Sequence, residues 1–350
     1  MERITKLIKA AEGLKQSELE ALSARILEML NLSNGEGEEI GAPVSGCRRC
    51  DSEQIVKFGK DKHGKQRYKC KSCGTIFSAT SYTVISKTHQ NISVWKKYIE
   101  LLLQGASLSK SAHICKISVQ TAFSWRHKIL NALQHDQNER MLGGIIETDE
   151  TYIGISYKGN HKKSNNFTMP RPAYKRGTDS RAQTGSRACV ICAVERNGQV
   201  YSEVLGKGQP TIAMLAHAFD ERILPESVVI SDKSSCTKTY FDTHLPSVQL
   251  VRLMAHVRPK SMNSPPEVRG AFHIQNINNC HYRLKKFLER YNGVSTKYLN
   301  HYVNLFVWIE NHKKLQNVDL NQELTATLTM RNSYVPFHTS ATLPAIPTVA

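Results

Sequence analysis

The spacing of apolar residues alternates along the chain between helical and strand periodicity. Apolar positions three or four residues apart predict helices in the first half at residues 1 to about 32, 91 to 104, 107 to 115 and 118 to 133. Between the first two of these, Cys47 to Phe77 carries short apolar groups around a turn at His63-Gly64, which predicts brief strands. The stretch from Asn34 to Ser45 is Gly-rich, acidic and without periodicity, which is typical of a linker.

Beyond Gly143 the pattern predicts a mixed sheet with helices. The predicted order is β-β-β-α-β-α-β-α-α, with strands in GGIIETDETYIG, ACVICAVER, QVYSEVLG, SVVISD and SVQLV, and helices at about 210 to 222, after Ser234, at 275 to 290 and at 296 to 312. Asn197-Gly198, between the second and third strands, is a strong hairpin signal. After Leu320 the chain is Thr- and Pro-rich with little periodicity.

These changes of pattern predict a multidomain α+β protein. Its expected segments are N-terminal helices and a linker at 1–45, a cysteine-rich unit at 46–80, a helical region at 90–140, a mixed-sheet domain at 143–315 and a tail at 316–350. Within the sheet domain, residues 155–187 form an insertion with eight Lys or Arg and a single acid, Asp179.

The net charge of the chain indicates what kind of partner it binds. The chain has 47 Lys and Arg against 30 Asp and Glu, a formal net charge of +17, which favours a polyanion such as nucleic acid. No stretch approaches the roughly 18 apolar residues of a membrane-spanning helix, and the N-terminus lacks the apolar core of a signal peptide. We therefore expect an intracellular protein without a membrane partner.

Four of the nine cysteines have the spacing of a metal site. Cys47, Cys50, Cys70 and Cys73 form two CxxC pairs separated by 19 residues. Four thiolates at about 2.3 Å satisfy tetrahedral zinc with no open position, so the site would be structural. Four unligated cysteines are the alternative. A further CxxC pair, Cys189 and Cys192, lies in an apolar strand whose alternation points the two side chains to opposite faces, which predicts core residues.

The cysteine-rich unit is also strongly basic. Residues 47–73 hold nine Lys or Arg and three acids, so a zinc-stapled ribbon would have a cationic face suited to phosphate. We predict DNA contacts from Arg67 and Lys69 on this ribbon. A solvated basic face without a partner is the alternative.

The segment LSKSAHICKISVQTAFSWRHKIL resembles a helix-turn-helix. Ser118 would cap a second helix that presents polar side chains outward, namely Gln120, Thr121, Ser124, Arg126 and His127. Arg126 is therefore a predicted DNA contact. A helical hairpin that fills space between domains is the alternative.

Acidic residues at strand positions stand out in this basic protein. Asp149 lies in GGIIETDETYIG, where alternation places it on the same face as Glu147 and opposite to Glu150, and Asp232 ends the apolar strand VVISD. A carboxylate at the end of a buried strand is costly unless it is paired or binds metal. Two such carboxylates on adjacent strands suit two-metal phosphoryl transfer with Mg²⁺. Glu147 and Glu150 are rival ligands, and an edge acid without function is the alternative.

Five segments resemble those of prokaryotic insertion-sequence transposases of the DDE superfamily, in the group with an N-terminal zinc ribbon. In chain order they are the ribbon, the helical segment, ETDETYIG, ISDKSS and HIQNINNCHYRLKKFLERYNGVSTKYLNHYV. The resemblance runs from about Cys47 to Trp308. It is most specific in the last block, whose residues with the family's spacing are Asn278, His281, Lys285, Phe287, Gly293, Val294, Tyr298 and Leu299. It implies an RNase H-like fold with a five-stranded mixed sheet for the domain at 143–315.

The resemblance also implies the roles of single residues. Asp149 and Asp232 would be the first two ligands of catalytic Mg²⁺ or Mn²⁺. The third position, Glu in the usual DDE pattern, falls on Asn278, which agrees with the members of this group that use Asn there. An amide offers one neutral oxygen and binds Mg²⁺ more weakly than a carboxylate. His281, one helical turn further on, is the competing third ligand, and a capping amide is the structural alternative for Asn278. Lys285 and its neighbour Lys286 are predicted to contact DNA phosphate.

The function expected from these features is DNA transposition in the prokaryotic cytoplasm, at the nucleoid. Such an enzyme binds the terminal inverted repeats of its element and target DNA, acts as a homo-oligomer in a synaptic complex, and cuts and joins strands with Mg²⁺. The main alternative is a catalytically inactive zinc-ribbon DNA-binding regulator derived from a transposase. A structure-selective nuclease without preference for a repeat is a third possibility.

Overall fold

The computed structural model describes residues 44–61, 64–86, 88–138, 140–159, 187–254, 268, 270, 272–313, 318–329 and 343–347. The predicted N-terminal helices at 1–32, most of the basic insertion at 155–187 and part of the tail at 316–350 lie outside these residues. Within the described ranges, no helix is both long and apolar enough to cross a membrane.

The cysteine-rich unit is a three-stranded antiparallel sheet. Its strands are β1 (Ile55–Lys60), β2 (Gln66–Cys70) and β3 (Ile76–Ser78). On one face, Tyr68 and Phe77 stack with ring centroids 5.8 Å apart beside the buried Cys47 and Cys70. Side chains alternate between the faces of a strand, so Lys69, next to Tyr68, lies on the other face.

The predicted helical region begins with three helices, α1 (Ile92–Leu103), α2 (Leu108–Ile114) and α3 (Val119–Asn138). The side chain of Ser107 caps α2 by accepting from the N–H of Lys110, and Ser118 caps α3 by accepting from the N–H of Thr121. Trp95 of α1 and Trp125 of α3 stack face to face, with centroids 3.7 Å apart. Both tryptophans are therefore packing residues of a helical core.

The second half of the chain folds around a five-stranded mixed sheet. The strands are β4 (Ile145–Gly154), β5 (Arg187–Glu195), β6 (Val200–Lys207), β7 (Val228–Ser231) and β8 (Gln249–Arg252), in the spatial order β6-β5-β4-β7-β8. The β4–β5 and β5–β6 pairs are antiparallel, and the β4–β7 and β7–β8 pairs are parallel. This order and these directions are those of an RNase H-like sheet, so the predicted α+β fold class is confirmed.

Helices cover both faces of this sheet. Their bounds are α4 (Ile212–Phe219), α5 (Ser235–His244), α6 (Gln275–Glu289) and α7 (Leu299–His312), with a 3-10 turn at Thr296–Tyr298. One core contains α4, α5 and Cys189, and the other contains α6, α7 and Cys192 together with α1 and α3. The prediction that these two cysteines point to opposite faces of the sheet is confirmed.

A last helix, α8 (Leu320–Thr329), packs against α1. Its side chains Leu324 and Leu328 are buried in the same core as Trp95. The sequence analysis found little periodicity here and missed this helix. Two buried leucines four residues apart form too short a stripe to stand out in a Thr-rich segment.

Candidate functional site

Two aspartates meet where β4 and β7 run side by side. The parallel register places Glu147 opposite Ile230, and continuing it by two residues leads Asp232 to lie beside Asp149. Neighbouring strands are about 4.8 Å apart. Both aspartates line one small depression together with Glu150. The sheet itself therefore brings the two predicted carboxylates together.

This carboxylate depression, lined by Asp149, Glu150 and Asp232, concentrates negative charge. Burial and the charges of Glu150 and Asp232 raise the pKa of Asp149 to about 8, while Lys285 acts in the opposite direction. Burial and the charge of Asp232 also raise the pKa of Glu150. A divalent cation would offset this repulsion, and carboxylate oxygens are the ligands that Mg²⁺ prefers. Asp149 and Asp232 are therefore candidate ligands of a divalent cation.

The loop after β7 fixes the side chain of Asp232. Its Oδ1 atom accepts from the N–H of Ser234 at 3.0 Å, and Ser234 caps α5. Arg252, at the end of β8, donates to the carbonyls of Lys233 at 2.6 Å and Ser234 at 3.2 Å. Sequence reasoning did not single out Arg252. Its place at the end of the strand next to β7 is the signal that could have found it.

Glu147, considered above as a rival ligand, docks α6 instead. Its side chain is fully buried and lies outside the lining of the carboxylate depression. It accepts from the N–H groups of Asn276 at 2.9 Å and Ile277 at 3.1 Å, and from the Asn276 side chain at 2.8 Å. Arg196 Nε lies 3.2 Å from the same carboxylate. A negative charge at a helix N-terminus is favourable, so Glu147 sets the position of α6 relative to β4.

Replacing Glu147 by glutamine should lower the free energy of unfolding by about 2 to 4 kcal/mol, because a buried charge-assisted network loses its anion. Chemical denaturation measures this loss. Glu195→Gln is the matched control: Glu195 is buried on β5 and accepts from the N–H of Gly143. Under conditions where both variants are folded, Glu147→Gln should impair DNA cleavage more. Equal impairment would show that docking of α6 does not matter for activity.

The helix α6 presents three predicted site residues along one side. Asn278 is exposed on its first turn and lies outside the lining of the carboxylate depression. One turn later, His281 is buried, and its pKa falls to about 4 because of burial and the charge of Lys285. Lys285 is exposed and acts electrostatically on Asp149. His281 and Lys285 thus both interact with Asp149, whereas Asn278 lies outside the lining of the depression.

The four cysteines of the ribbon converge. Their sulfur atoms all lie within 4.8 Å of one another, with Cys47 and Cys73 separated by 3.6 Å and Cys50 and Cys70 by 3.7 Å. A tetrahedron with metal–sulfur bonds of about 2.3 Å has edges of about 3.8 Å. Among the residues that the structure describes, they are the one group of three or more His, Cys, Asp or Glu this close together. Their arrangement fits zinc.

Protein purified without chelator should contain one zinc per chain, because these four thiolates complete a tetrahedral site. Elemental analysis measures the stoichiometry. The Cys70→Ala, Cys73→Ala double variant should lose the metal, whereas Cys236→Ala, at a cysteine outside the cluster, should keep it. Zinc-free wild type, or a double variant that retains zinc, would contradict the assignment.

Four of the five predicted DNA contacts are accessible. Lys69, Lys285 and Lys286 are exposed and Arg67 is half-buried. On the ribbon, Arg67 and Lys69 flank the exposed ring of Phe58, with their charged groups 5.7 and 5.5 Å from its centroid. The ribbon thus presents two positive charges beside an exposed aromatic ring.

The prediction that Arg126 and His127 point outward is wrong. Both side chains are 2% exposed. Arg126 donates to the carbonyl of Ala106 at 2.7 Å, and Nδ1 of His127 lies 3.0 Å from Nδ1 of His301. The reason is that α3 packs against α7 as well as α2, so that its apparent polar face is covered. Gln120 remains exposed at its N-terminus.

Comparisons with known proteins agree with this geometry. Residues 141–311, just under half of the chain, match the family model of the ISXO2-like transposase domain. A 75-residue stretch, 21% of this chain, is 28% identical to the insertion element iso-IS1N protein InsA of Shigella dysenteriae and covers 79% of it.

Two solved structures are also similar, at a low level. The Mos1 mariner paired-end complex with Mn is 14% identical, with a TM-score of 0.23, over 66% of this chain and 76% of that chain. The Mos1 transposase paired-end complex with the left transposon end is also 14% identical, with a TM-score of 0.23, over 68% of this chain and 79% of that chain. The RNase H-like fold is assigned from the strand order and directions of the sheet, and not from these two structures. The match of residues 141–311 to the ISXO2-like transposase domain and the similarity to InsA together support an insertion-sequence transposase.

Proposed function

We propose that the chain binds the terminal inverted repeats of its own element and cuts and joins DNA strands at the carboxylate depression. The observation that carries this proposal is the register of β4 and β7, which leads Asp149 and Asp232 to lie side by side. In this proposal Asp149, Asp232 and the amide oxygen of Asn278 hold Mg²⁺ or Mn²⁺. The bound cations would activate the attacking oxygen and stabilise the departing one.

The chain's own residues hold and orient the DNA. Lys285, exposed beside Asp149, binds an oxygen of the scissile phosphate and offsets its charge. In the first step a water oxygen bonds to phosphorus and the bond to the 3′-oxygen breaks, which releases a 3′-OH at the element end. In the second step that 3′-OH attacks a target phosphate at the same site, and the target's own 3′-oxygen departs. No covalent link to the protein forms.

The remaining parts of the chain select the DNA. The ribbon, stapled by zinc, places Arg67, Lys69 and Phe58 against the repeat. Two element ends must be held together before joining, so the active form is a homo-oligomer. The protein acts on nucleoid DNA in the prokaryotic cytoplasm.

One observation favours a second candidate, a DNA-binding regulator without catalysis. Asn278 offers a neutral oxygen where the usual DDE pattern has a carboxylate, and it is exposed and lies outside the lining of the carboxylate depression. A third candidate, a structure-selective nuclease, would cut DNA whether or not it carries a repeat.

Cleavage of a labelled duplex that carries the element's end separates these candidates. The transposase should nick it at one position in Mg²⁺, leave a 3′-OH, and spare a duplex with scrambled ends. A regulator would retard the duplex in a gel without nicking it. Equal cutting of both duplexes would identify a nuclease and overturn the proposal.

A further inference from the structure

One face of the ribbon sheet carries both apolar and cationic side chains. Val56 of β1 pairs with Lys69 of β2, and Lys69 pairs with Ile76 of β3, so these three form one row across the sheet. Residues two positions apart on a strand share a face, which adds Arg67 on β2 and Phe58 on β1. The charged groups of Arg67 and Lys69 lie 5.7 and 5.5 Å from the ring centroid of Phe58. We call these five side chains the outer ribbon face.

The three apolar side chains of the outer ribbon face are exposed. Val56 is 37% exposed, Phe58 40% and Ile76 48%. The small core of the ribbon lies on the other face, where Phe77 is buried beside two of the cysteines. Apolar side chains that cluster on a surface mark an interaction site. The outer ribbon face is therefore a candidate contact surface.

The charges of this face favour nucleic acid as the partner. Residues 47–73 hold nine Lys or Arg and three acids, and Arg67 and Lys69 lie on the central strand of the sheet. Such a surface attracts phosphate. Phosphate alone would leave Val56, Phe58 and Ile76 without a partner, because an apolar side chain gains nothing from an anion. A DNA partner must therefore also present an apolar group to this face.

In duplex DNA, that apolar group is the methyl group of thymine. It lies in the major groove, where apolar side chains contact it and where Arg or Lys binds guanine. The minor groove presents no methyl group. Three strands about 4.8 Å apart span about 10 Å, and the major groove is about 12 Å wide. The outer ribbon face thus matches the major groove in width and in chemistry.

We propose that the outer ribbon face enters the major groove of the element end and recognises thymine methyl groups through Val56, Phe58 and Ile76. The inference rests on the proposed function and assigns to the ribbon a direct part in reading the repeat. Arg67 and Lys69 hold the same DNA by their charge. Part of the specificity then comes from apolar contacts, which displace no counterions from DNA.

Replacing thymine by uracil tests this inference, because the change removes the methyl group and leaves base pairing and every phosphate in place. End duplexes with one such replacement each are titrated with the full chain by fluorescence anisotropy. At one or more positions, uracil should weaken binding about fourfold, the effect of one buried methyl group. This ratio should be equal at low and physiological salt. A scrambled duplex is the control and should bind equally with either base.

Variants of the face connect a methyl group to a side chain. At one sensitive position, Ile76→Ala should bind the thymine duplex about as weakly as wild type binds the uracil duplex, and should not distinguish the two bases. Phe58→Ala should behave in the same way at a sensitive position. Leu224→Ala shortens an exposed leucine of the sheet domain and is the matched control, so it should respond to uracil as wild type does. All three variants should retain one zinc, which shows that the ribbon is folded.

Three results would overturn the inference and leave the proposed function intact. The first is equal binding of wild type to thymine and uracil at every position of the end. The second is a uracil effect that persists in both Ile76→Ala and Phe58→Ala, which would place the methyl contact on another element. The third is an equal loss of affinity by these variants for a single-stranded end, which would identify unpaired bases as the occupant.

Failure of the proposed function has a different signature. Wild type would then bind the element end and the scrambled duplex with equal affinity, and the inference would fail with it.

Discussion

Replacing Asp149 or Asp232 by alanine is expected to slow metal-dependent cleavage of the element end by at least about a thousandfold, a loss typical of removing a group that acts in the transition state. Asp149 lies on β4 and Asp232 directly follows the parallel strand β7, and both residues line one depression. Binding to the end duplex should stay nearly unchanged, because the predicted DNA contacts, Arg67, Lys69, Lys285 and Lys286, are all retained. A gel assay on one labelled duplex measures both quantities.

Loss of activity in these variants should not reflect unfolding. The raised pKa of Asp149 means that its carboxylate costs stability as pH rises from 3.8 to about 8, because the folded state retains the proton longer than the unfolded state. Without metal at pH 8, Asp149→Ala should therefore be at least as stable as wild type. Asp242→Ala, at an exposed acid on α5, is the matched control and should cleave normally. If Asp149→Ala or Asp232→Ala cleaves at the wild-type rate, the replaced aspartate is not a ligand and Glu150 becomes the next candidate.

The second large effect concerns the third ligand. Asn278→Ala should be inactive, whereas Asn278→Asp, which supplies a charged oxygen at similar reach, should keep measurable cleavage and change the preference between Mg²⁺ and Mn²⁺. Cleavage rates of both variants in each metal measure this. The aspartate variant is the control for the shape of the side chain.

His281 is the rival for this position. Its Nε2 atom is buried and, among the described residues, makes no hydrogen bond, and its lowered pKa keeps the ring neutral at physiological pH. If His281 binds the metal, His281→Ala should be the inactive variant and Asn278→Ala should cleave fully. Full cleavage by both Asn278→Ala and His281→Ala would mean that the two aspartates are the metal ligands. The helix α6 would then act through the contacts of Lys285 and Lys286 with DNA phosphate.

The sequence predicted the elements of the site better than their arrangement. Alternation in β4 and an apolar run before Asp232 were enough to single out both aspartates. Their adjacency depends on the pairing of β4 with β7, about 80 residues later in the chain, which no local pattern specifies. For the same reason, Glu147 looked like a ligand. Its actual partners, Asn276 and Ile277, are distant in sequence and meet it only in the folded protein.

Arg126 shows where periodicity misleads. A polar stripe on α3 predicted a DNA-facing surface, but a helix with neighbours on two sides buries polar residues when they find partners, as Arg126 does at the carbonyl of Ala106. Exposure of such a stripe follows from how many helices pack around it. That number is a property of the whole fold.

A sulfur substitution at the scissile phosphate tests most directly whether the aspartates hold cations at the reacting group. Sulfur is a poor ligand for Mg²⁺ and a better one for Mn²⁺. With one phosphorothioate isomer, cleavage by wild type should slow at least tenfold in Mg²⁺ and recover in Mn²⁺. Equal slowing in both metals, or cleavage that persists in chelator, would contradict metal-dependent transposition at Asp149 and Asp232.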